Sequence, residues 1–597
     1  MTQDTRVLIA LVLIFGWLIL GSAYLVKKYP TAPAKKPASA PAQTAPTAPA
    51  QAAAPAPAAA KAPAKKSATA KPAPPPAVAL PIITGSSAQD MVVENDLYRV
   101  TFSTQGALVK SWVLKKFKDE KDQPLDLVDA AASEKLGYPM SLGLADADLQ
   151  GKLNQALYVA TPSGSSLTPP VKLEFTYSDG KVQARKQFTF GTDYVLRGEV
   201  SVYDGQRFLP VEVGWYGGFG DHTLPPLQVT ATESAVFQPE GADKPKPETL
   251  MPSFFGRLLS RESGPPPDKM DIPGPLALAG LEDRYFAGII LPGASDEAFR
   301  FGRRVWTPPD FKGKEEEKPR PLFATLGSAQ AKPLSFRMFV GPKDLDLLKA
   351  VNPPLDGLVD FGWFTIFAKP LFMGLRYIHD HWVNNYGWAI AILTIIINML
   401  MFPLKLKQIR SAQEMQRIQP LMKGIQDKYK QYKLNDPRRQ KMNQEMMKLY
   451  SEHHINPLGG CLPMVVQLPI LYGFYRVLEL PIELRHAPWI WWIKDLSAPD
   501  TFHPFGIPVP ILPTIMVISM FLLQKMTPMA VADPNQRRMM YLMPIVFGIM
   551  FYKLASGLVL YFLIANLVGI TQQLYINKRM PLKQAALPVR KTVEAKE

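Results

Sequence analysis

The sequence predicts a multidomain membrane protein. It has an N-terminal anchor helix, a large antiparallel β-sandwich outside the membrane, and a C-terminal core of five α-helical spans with a cytoplasmic helical hairpin. Three observations predict this. Long apolar runs occur at the N terminus and again after residue 385. Residues 85–345 instead show short stretches of period-two alternation separated by Gly, Asp and Pro. The basic excess is concentrated beside the apolar runs rather than spread along the chain.

At 597 residues the chain exceeds one ordinary domain, and 47% hydrophobic with 20% charged residues suits a membrane protein with a large soluble part. The single cysteine, Cys461, excludes an intramolecular disulfide, a Cys zinc cluster and a CxxC redox pair. Leu20-Gly21-Ser22 has the small residues of a lipidation box without its cysteine, which removes a lipoprotein anchor. Residues 82–346 hold 30 Lys/Arg against 35 Asp/Glu, while loop 404–456 holds 12 against 5. The pI near 9.5 raises nucleic acid as a partner. Because the excess flanks spans, topology accounts for most of it.

Residues 1–29 form the anchor. Val7–Val26 is long enough to span, and the Lys27-Lys28 flank favours a retained helix over a cleaved signal peptide, the alternative reading. Residues 30–84 form a disordered linker; Pro30–Pro81 is Ala/Pro-rich, has no acidic residue and cannot build a core. Residues 85–345 form the β-sandwich, with strands expected at Val92–Phe102, Val171–Tyr177, Gln183–Phe190 and Tyr194–Val202. Turns fall at Ser178-Asp179-Gly180 and Gly191-Thr192-Asp193, and Gly264–Pro275 and Lys312–Arg320 read as surface loops. No GxSxG, HExxH or P-loop occurs in this region.

Residues 358–382 read as an amphipathic interfacial helix. Phe364, Phe367, Leu371, Leu375, Ile378 and Trp382 recur at spacings of three and four, with a possible break at Pro370. Packing on the β-domain is the other reading. Residues 384–577 form the five-span core, with spans at Tyr386–Phe402, Leu462–Leu480, Pro508–Gln524, Met540–Leu554 and Leu558–Tyr575. Ala555-Ser556-Gly557 joins the last two tightly, and Lys553 can snorkel beside that turn. Residues 578–597 are a basic tail. With the anchor there are six spans, which put loop 404–456, loop Lys525–Arg538 and the tail on one side. Their Lys/Arg content makes that side the cytoplasm and places both termini inside and the β-domain outside; only Lys27-Lys28 disagrees.

Polar residues inside the spans share a depth. Thr394 and Asn398 lie four apart on one helix face; Gln467, Ser519 and Asn566 fall on three other spans, with Gln572 and Gln573 near the inner end of the last. An amide or hydroxyl in lipid costs free energy unless it meets a partner or water. Any one could be interhelical glue. Together they predict a hydrated pocket open inward and closed outward. Asn456-Pro457 and Gly459-Gly460 break the helix ahead of the span that carries Gln467.

Loop 404–456 reads as a helical hairpin, Leu404–Tyr432 and Arg438–His453, broken at Asn435-Asp436-Pro437. Met415, Met422, Met442, Met446 and Met447 dominate its apolar positions. They suit either a surface that accepts many apolar partners or a Met-rich helix–helix seam. Its basic residues suit ribosomal RNA or anionic lipid, or are solvated charge. His453-His454 lacks partners at metal-site spacing, and no cofactor, metal or small-molecule substrate is expected.

NPLGGCLPMVVQLPI from Asn456, ELRHAPWIWWIKDL within Leu478–Leu496, QKMTPMAVADPNQ from Gln524 and SGLVLYFLIANLVGITQQ from Ser556 closely resemble the YidC/Oxa/Alb family of membrane protein insertases. The resemblance is strong over 355–580, and the anchor, spacer and outer β-domain look like its Gram-negative branch. It implies an inner-membrane protein whose periplasmic β-domain is a galactose-mutarotase-like supersandwich. It also implies insertion and folding of nascent membrane proteins, alone or with the Sec translocon and its accessory subunits, with ribosome and membrane lipids as further partners. The family's hydrophilic groove implies roles for Thr394, Asn398, Gln467, Ser519 and Asn566, and client contact by Tyr561, Phe562 and Met520. In the family a single Arg precedes the proline ending the second span by five residues. Here that proline is Pro403 and the position holds Asn398, so the sequence departs from the pattern there. A secondary transporter would need internal repeats or a charge pair at the midplane, and neither is visible. A sugar-acting outer domain would need paired His/Glu groups, and no such set stands out.

Overall fold

The computed structural model describes residues 80–579 apart from 225–232, 243, 249–268, 273–274, 295–296, 309–310, 312–317, 329, 363–364, 433–435, 456–461, 501, 503–508, 528–533 and 553. The anchor, the linker up to residue 79, Cys461, Lys553 and the tail beyond Arg579 lie outside these.

Alternating side chains build the β-domain. In Gln183–Phe190 the inward positions Ala184, Lys186, Phe188 and Phe190 are buried and the others are not. That strand pairs antiparallel with Val171–Asp179 and with Val195–Tyr203. The first turn is made by Asp179, whose Oδ1 accepts from the Lys181 and Val182 amides at 2.8 Å, with Gly180 at φ +88°. Among the described residues these strands belong to a ten-stranded sheet that continues through Leu334–Pro342, Phe286–Pro292, Leu276–Glu282 and Ser234–Pro239. Two five-stranded sheets complete the sandwich, one centred on Leu322–Ser328 and one on Tyr98–Ser103. All three share one apolar cluster, with Phe102, Trp112, Phe175, Phe188, Phe190 and Trp215 at its heart. Lys186 is fully buried there, its Nζ donating to the carbonyls of Gly106, Ala107 and Met140 at 2.7–3.2 Å.

The expected strand Val92–Phe102 is two strands, Asp90–Glu94 and Tyr98–Ser103. The reason is Asn95, whose side-chain oxygen accepts from the Leu97 and Tyr98 amides at 2.8 and 2.9 Å and folds the chain back. Three short helices, α1 (Ala130–Leu136), α2 (Ala147–Gln155) and α3 (Leu345–Ala350), each start at an Asp that caps them.

The helical core comprises α4 (Thr365–His381), α5 (Tyr386–Leu400), α6 (Phe402–Lys428), α7 (Pro437–Glu452), α8 (Leu462–Glu479), α9 (Ile511–Met526), α10 (Pro534–Phe551) and α11 (Ser556–Arg579). Helix α4 runs unbroken through Pro370 and packs mainly on α5 and α8. Its buried face is Ala368, Phe372, Leu375 and Ile378, so Phe367 and Trp382 of the expected stripe are exposed. Gly473 of α8 lets α4 approach closely, since a Cβ there would lie 3.3–3.4 Å from Ala368, Leu371 and Phe367. Helices α5 and α6 meet at a 57° bend, where Pro403 in the first turn of α6 lacks the amide needed to continue α5. Among the described residues, by length and hydropathy, α11 alone can cross a bilayer and the bent pair α5–α6 passes as one; α9 and Arg538–Phe551 are apolar but shorter. The 16 residues of α9 rise about 24 Å, less than a ~30 Å hydrocarbon layer.

The sandwich is joined to the core by charged side chains. Arg485 is buried and donates to Asp221 Oδ2 at 2.7 Å and to the Lys118 carbonyl. Arg284 donates to the Glu479 carbonyl at 3.1 Å, and Arg376 of α4 meets Asp346 of α3 at 2.6 Å. Ile482, just beyond α8, is buried in the sandwich's own apolar cluster.

Candidate functional site

Four helices converge on one pocket whose lining is part polar and part apolar. Helix α5 contributes Ile397 and Asn398, and Met401 lies at the bend; α6 contributes Leu404, Lys405 and Gln408; α8 contributes Gln467 and Ile470; α11 contributes Tyr561. Among the described residues no Asp or Glu lines the pocket.

The polar groups are held in different ways. Asn398 Nδ2 donates to the Thr394 carbonyl at 2.9 Å, one turn back on its own helix. The Asn398 carbonyl accepts from Gln572 Nε2 at 3.2 Å, and Gln572 Oε1 accepts from Lys405 Nζ at 3.2 Å. Gln572 therefore ties the end of α5 and the start of α6 to α11. Gln467 is exposed to the pocket and makes no hydrogen bond among the described residues. Tyr561 is buried and stacks on Phe474 with ring centroids 4.4 Å apart, forming an apolar floor. Phe562 packs on Phe551 at 4.8 Å, and Met520 lies partly buried in the same cluster.

The residues singled out by sequence fall into three groups. Asn398, Gln467 and Tyr561 come together in the pocket. Ser519 and Asn566 instead meet each other: Asn566 Nδ2 donates to Ser519 Oγ at 3.0 Å, and Ser519 donates to the Met516 carbonyl at 2.6 Å. That pairing is interhelical glue between α9 and α11. Thr394 is fully buried and donates to the Ile390 carbonyl of its own helix at 2.7 Å, outside the pocket wall. Sequence reasoning passes over Lys405 and Gln408 because they fall in the hairpin's first helix, Leu404–Tyr432, and not in a span. The signal was present: Lys405 follows Asn398 by seven residues, two helical turns.

Two regions of the chain match family models. Residues 90–373 match the YidC periplasmic domain, and residues 377–584 match the 60Kd inner membrane protein family. The membrane protein insertase YidC of Citrifermentans bemidjiense is 36% identical over 506 residues, covering 82% of this chain and 86% of that protein. That of Syntrophus aciditrophicus is 32% identical over 592 residues, covering 97% and 100%. The chain belongs to the YidC family of membrane protein insertases. A crystal structure of an active YidC insertase with its first transmembrane domain resolved is also similar, at 17% identity over 83% of this chain and 95% of that one, with a TM-score of 0.33.

In this YidC-family protein the hairpin methionines divide. Met422 is buried with Ile418, Leu449 and Ile455 between α6 and α7, and Met415 and Met446 pack against them. Met442 is partly buried, whereas Met447 is 59% exposed. The seam is closed outside by Glu445, which accepts from Lys428 Nζ at 2.9 Å and from the Tyr429 hydroxyl at 2.8 Å. Of the five, Met447 is the one whose side chain is mostly open to a partner.

Proposed function

We propose that this insertase moves nascent inner-membrane proteins by receiving the polar outer segment of a client in the pocket between α5, α6, α8 and α11. No covalent chemistry is involved. The client's apolar helix then leaves into lipid, driven by burial of about 20 apolar residues. The observation that carries the reading is the pocket itself: side chains that differ from lipid in offering Asn398, Gln408, Gln467 and Lys405 against a floor of Tyr561 and Ile470. Ser519, Asn566 and Thr394 act behind it as packing, holding the helices that form its walls. Phe562 and Met520 extend the apolar side that a client helix slides along.

The basic loops support an orientation with the hairpin and both termini in the cytoplasm and the β-domain in the periplasm. The division is 1–29 anchor, 30–84 linker, 85–345 β-domain, 358–382 interfacial helix, 384–577 core and 578–597 tail. The hairpin and tail meet the ribosome and anionic lipid, and the protein works alone or beside the Sec translocon and its accessory subunits.

Photo-crosslinking from positions 398, 467 and 561 to ribosome-stalled clients tests this. Those positions are expected to crosslink strongly, and Thr394, buried behind the wall, weakly. Crosslinks of equal yield from Ile549, which faces outward on α10 and is 75% exposed, would place the client on the lipid face instead.

A further inference from the structure

Gln572 of α11 stands outside the lining of the pocket but holds the joint between two of its walls. Helix α5 ends at Leu400, α6 starts at Phe402, and the two are bent by 57°. Pro403 has no amide to carry the hydrogen-bond ladder of α5 across the bend, so the joint is soft by itself. Asn398 lies in the last turn of α5, where helix carbonyls lack partners within the helix. Its carbonyl accepts from Gln572 Nε2, and Gln572 Oε1 accepts from Lys405 Nζ in the first turn of α6, both at 3.2 Å. One buried amide thus holds both sides of the bend. Phe402, at the bend itself, meets Tyr575 one turn further along α11, with ring centroids 6.4 Å apart. Gln573, the next residue, is also buried but serves its own helix, its Nε2 donating to Asn577 Oδ1 at 2.8 Å.

The bend has leverage. The 27 residues of α6 extend about 40 Å, so a change of about 10° at the joint moves its far end by about 7 Å. The hairpin beyond is a unit of its own, because α6 and α7 bury Ile418, Met422, Leu449 and Ile455 in a cluster separate from that of the spans. The first two turns of α6 supply Leu404, Lys405 and Gln408 to the pocket, so the same angle sets where that wall stands. We propose that Gln572 is a positioning residue of the insertase: it fixes the α5–α6 bend, and with it the place of the hairpin relative to the pocket. This rests on the pocket being the client site. Gln572 acts through Asn398 and Lys405 rather than on the client.

The test uses the purified full-length protein in vesicles, with Cys461→Ser and nitroxide labels on Gln444→Cys of α7 and Leu567→Cys of α11, both exposed positions. The distance between the labels is measured by pulsed electron resonance without a client, and the insertion yield of a single-span client in the same vesicles. With Gln572 in place the labels should show one narrow distance. Gln572→Leu should raise the ratio of displaced to held hairpin about eightfold, the lower end for two interhelical hydrogen bonds, and insertion should fall in proportion to the fraction still held. Gln573→Leu, which removes a neighbouring buried amide, should leave the distance unchanged. Gln572→Glu keeps the acceptor for Lys405 and loses the donor for the Asn398 carbonyl; it should fall between the two, and it carries the test if the leucine variant does not fold. An unchanged distance in both Gln572 variants would overturn the proposal. So would equal broadening in Gln573→Leu, or undiminished insertion by a displaced hairpin. Because the distance is read without a client, its outcome is separate from that of the pocket reading, which fails if positions 398 and 467 of the unmutated protein do not crosslink to a client.

Discussion

Replacing Arg485 should loosen the β-domain from the core without emptying the pocket. Arg485 and Asp221 are 5% and 4% exposed and 2.7 Å apart. At an effective dielectric constant of about 20 the attraction at that distance is about 6 kcal/mol, set against desolvation of both ions. Truncating one partner of such a pair generally costs about 3–5 kcal/mol, because the other charge stays buried. Asp221 keeps two acceptor bonds, from the Thr223 amide at 3.0 Å and its hydroxyl at 2.6 Å, so Arg485→Met should fall at the lower end, about 3 kcal/mol. Asp221→Asn should cost a similar amount, leaving the guanidinium with the Lys118 carbonyl. The double variant should recover most of it, giving a coupling of at least about 2 kcal/mol. Equilibrium unfolding of the four full-length proteins in one detergent supplies the cycle, with protease cutting between the sandwich and α4 as the structural readout. Insertion should persist in all four. Two single variants that each lose under about 0.5 kcal/mol and simply add would show that the pair does not hold the domains together.

Glu483 lies between α8 and the sandwich, and burial, helped by Asp344 and Asp346 and opposed by Arg376, raises its carboxyl to about 7 from 4.5. A carboxyl raised on folding favours the protonated form, so its contribution is complete below pH ~4.5 and is lost as pH rises through about 7. Glu483→Gln should therefore be the more stable protein at pH 8, by at most about 3 kcal/mol, and match the parent at pH 4; a gain that is equal at both pH values would refute this. In the pocket, Asn398→Leu alone should slow insertion about threefold and Asn398→Leu with Gln467→Leu about tenfold, taking the lower end of the about 0.6–2 kcal/mol that such an amide contributes. A double variant as active as the parent, measured as insertion yield in vesicles, would sink the polar-pocket mechanism.

The sandwich was legible where alternation was clean. Gln183–Phe190 has the expected bounds, and its period placed Lys186 on the inner face with Ala184, Phe188 and Phe190. The period does not show that three carbonyls would receive that lysine, because they come from loops 46 and about 80 residues away in sequence. Val92–Phe102 was misread because an apolar count passes over a side chain that makes its own turn, as Asn95 does. The rotation of α4 was illegible for a different reason. Its stripe admits two nearby burial faces, and the one buried depends on contacts with other helices, such as the close approach at Gly473 of α8.

The site was half legible. Depth in a span is readable from sequence, but direction around a helix relative to its neighbours is not. Thr394 and Asn398 share a face by spacing, yet the first is sealed beside Ile390 and the second opens into the pocket. Ser519 and Asn566 lie at pocket depth but satisfy each other. Lys405 lies in a helix expected from sequence, Leu404–Tyr432, but only the 57° bend at Met401 shows that the start of that helix lines the pocket. That continuity matters energetically. A charged side chain at the bilayer centre costs about 2.5–3.5 kcal/mol, and one interhelical hydrogen bond returns about 0.6–2 kcal/mol. Neither Asn398 nor Gln467 can offset that alone. A wall that carries both amides past the bend to Gln408 and Lys405 can, because the charge meets several polar groups in turn as it moves.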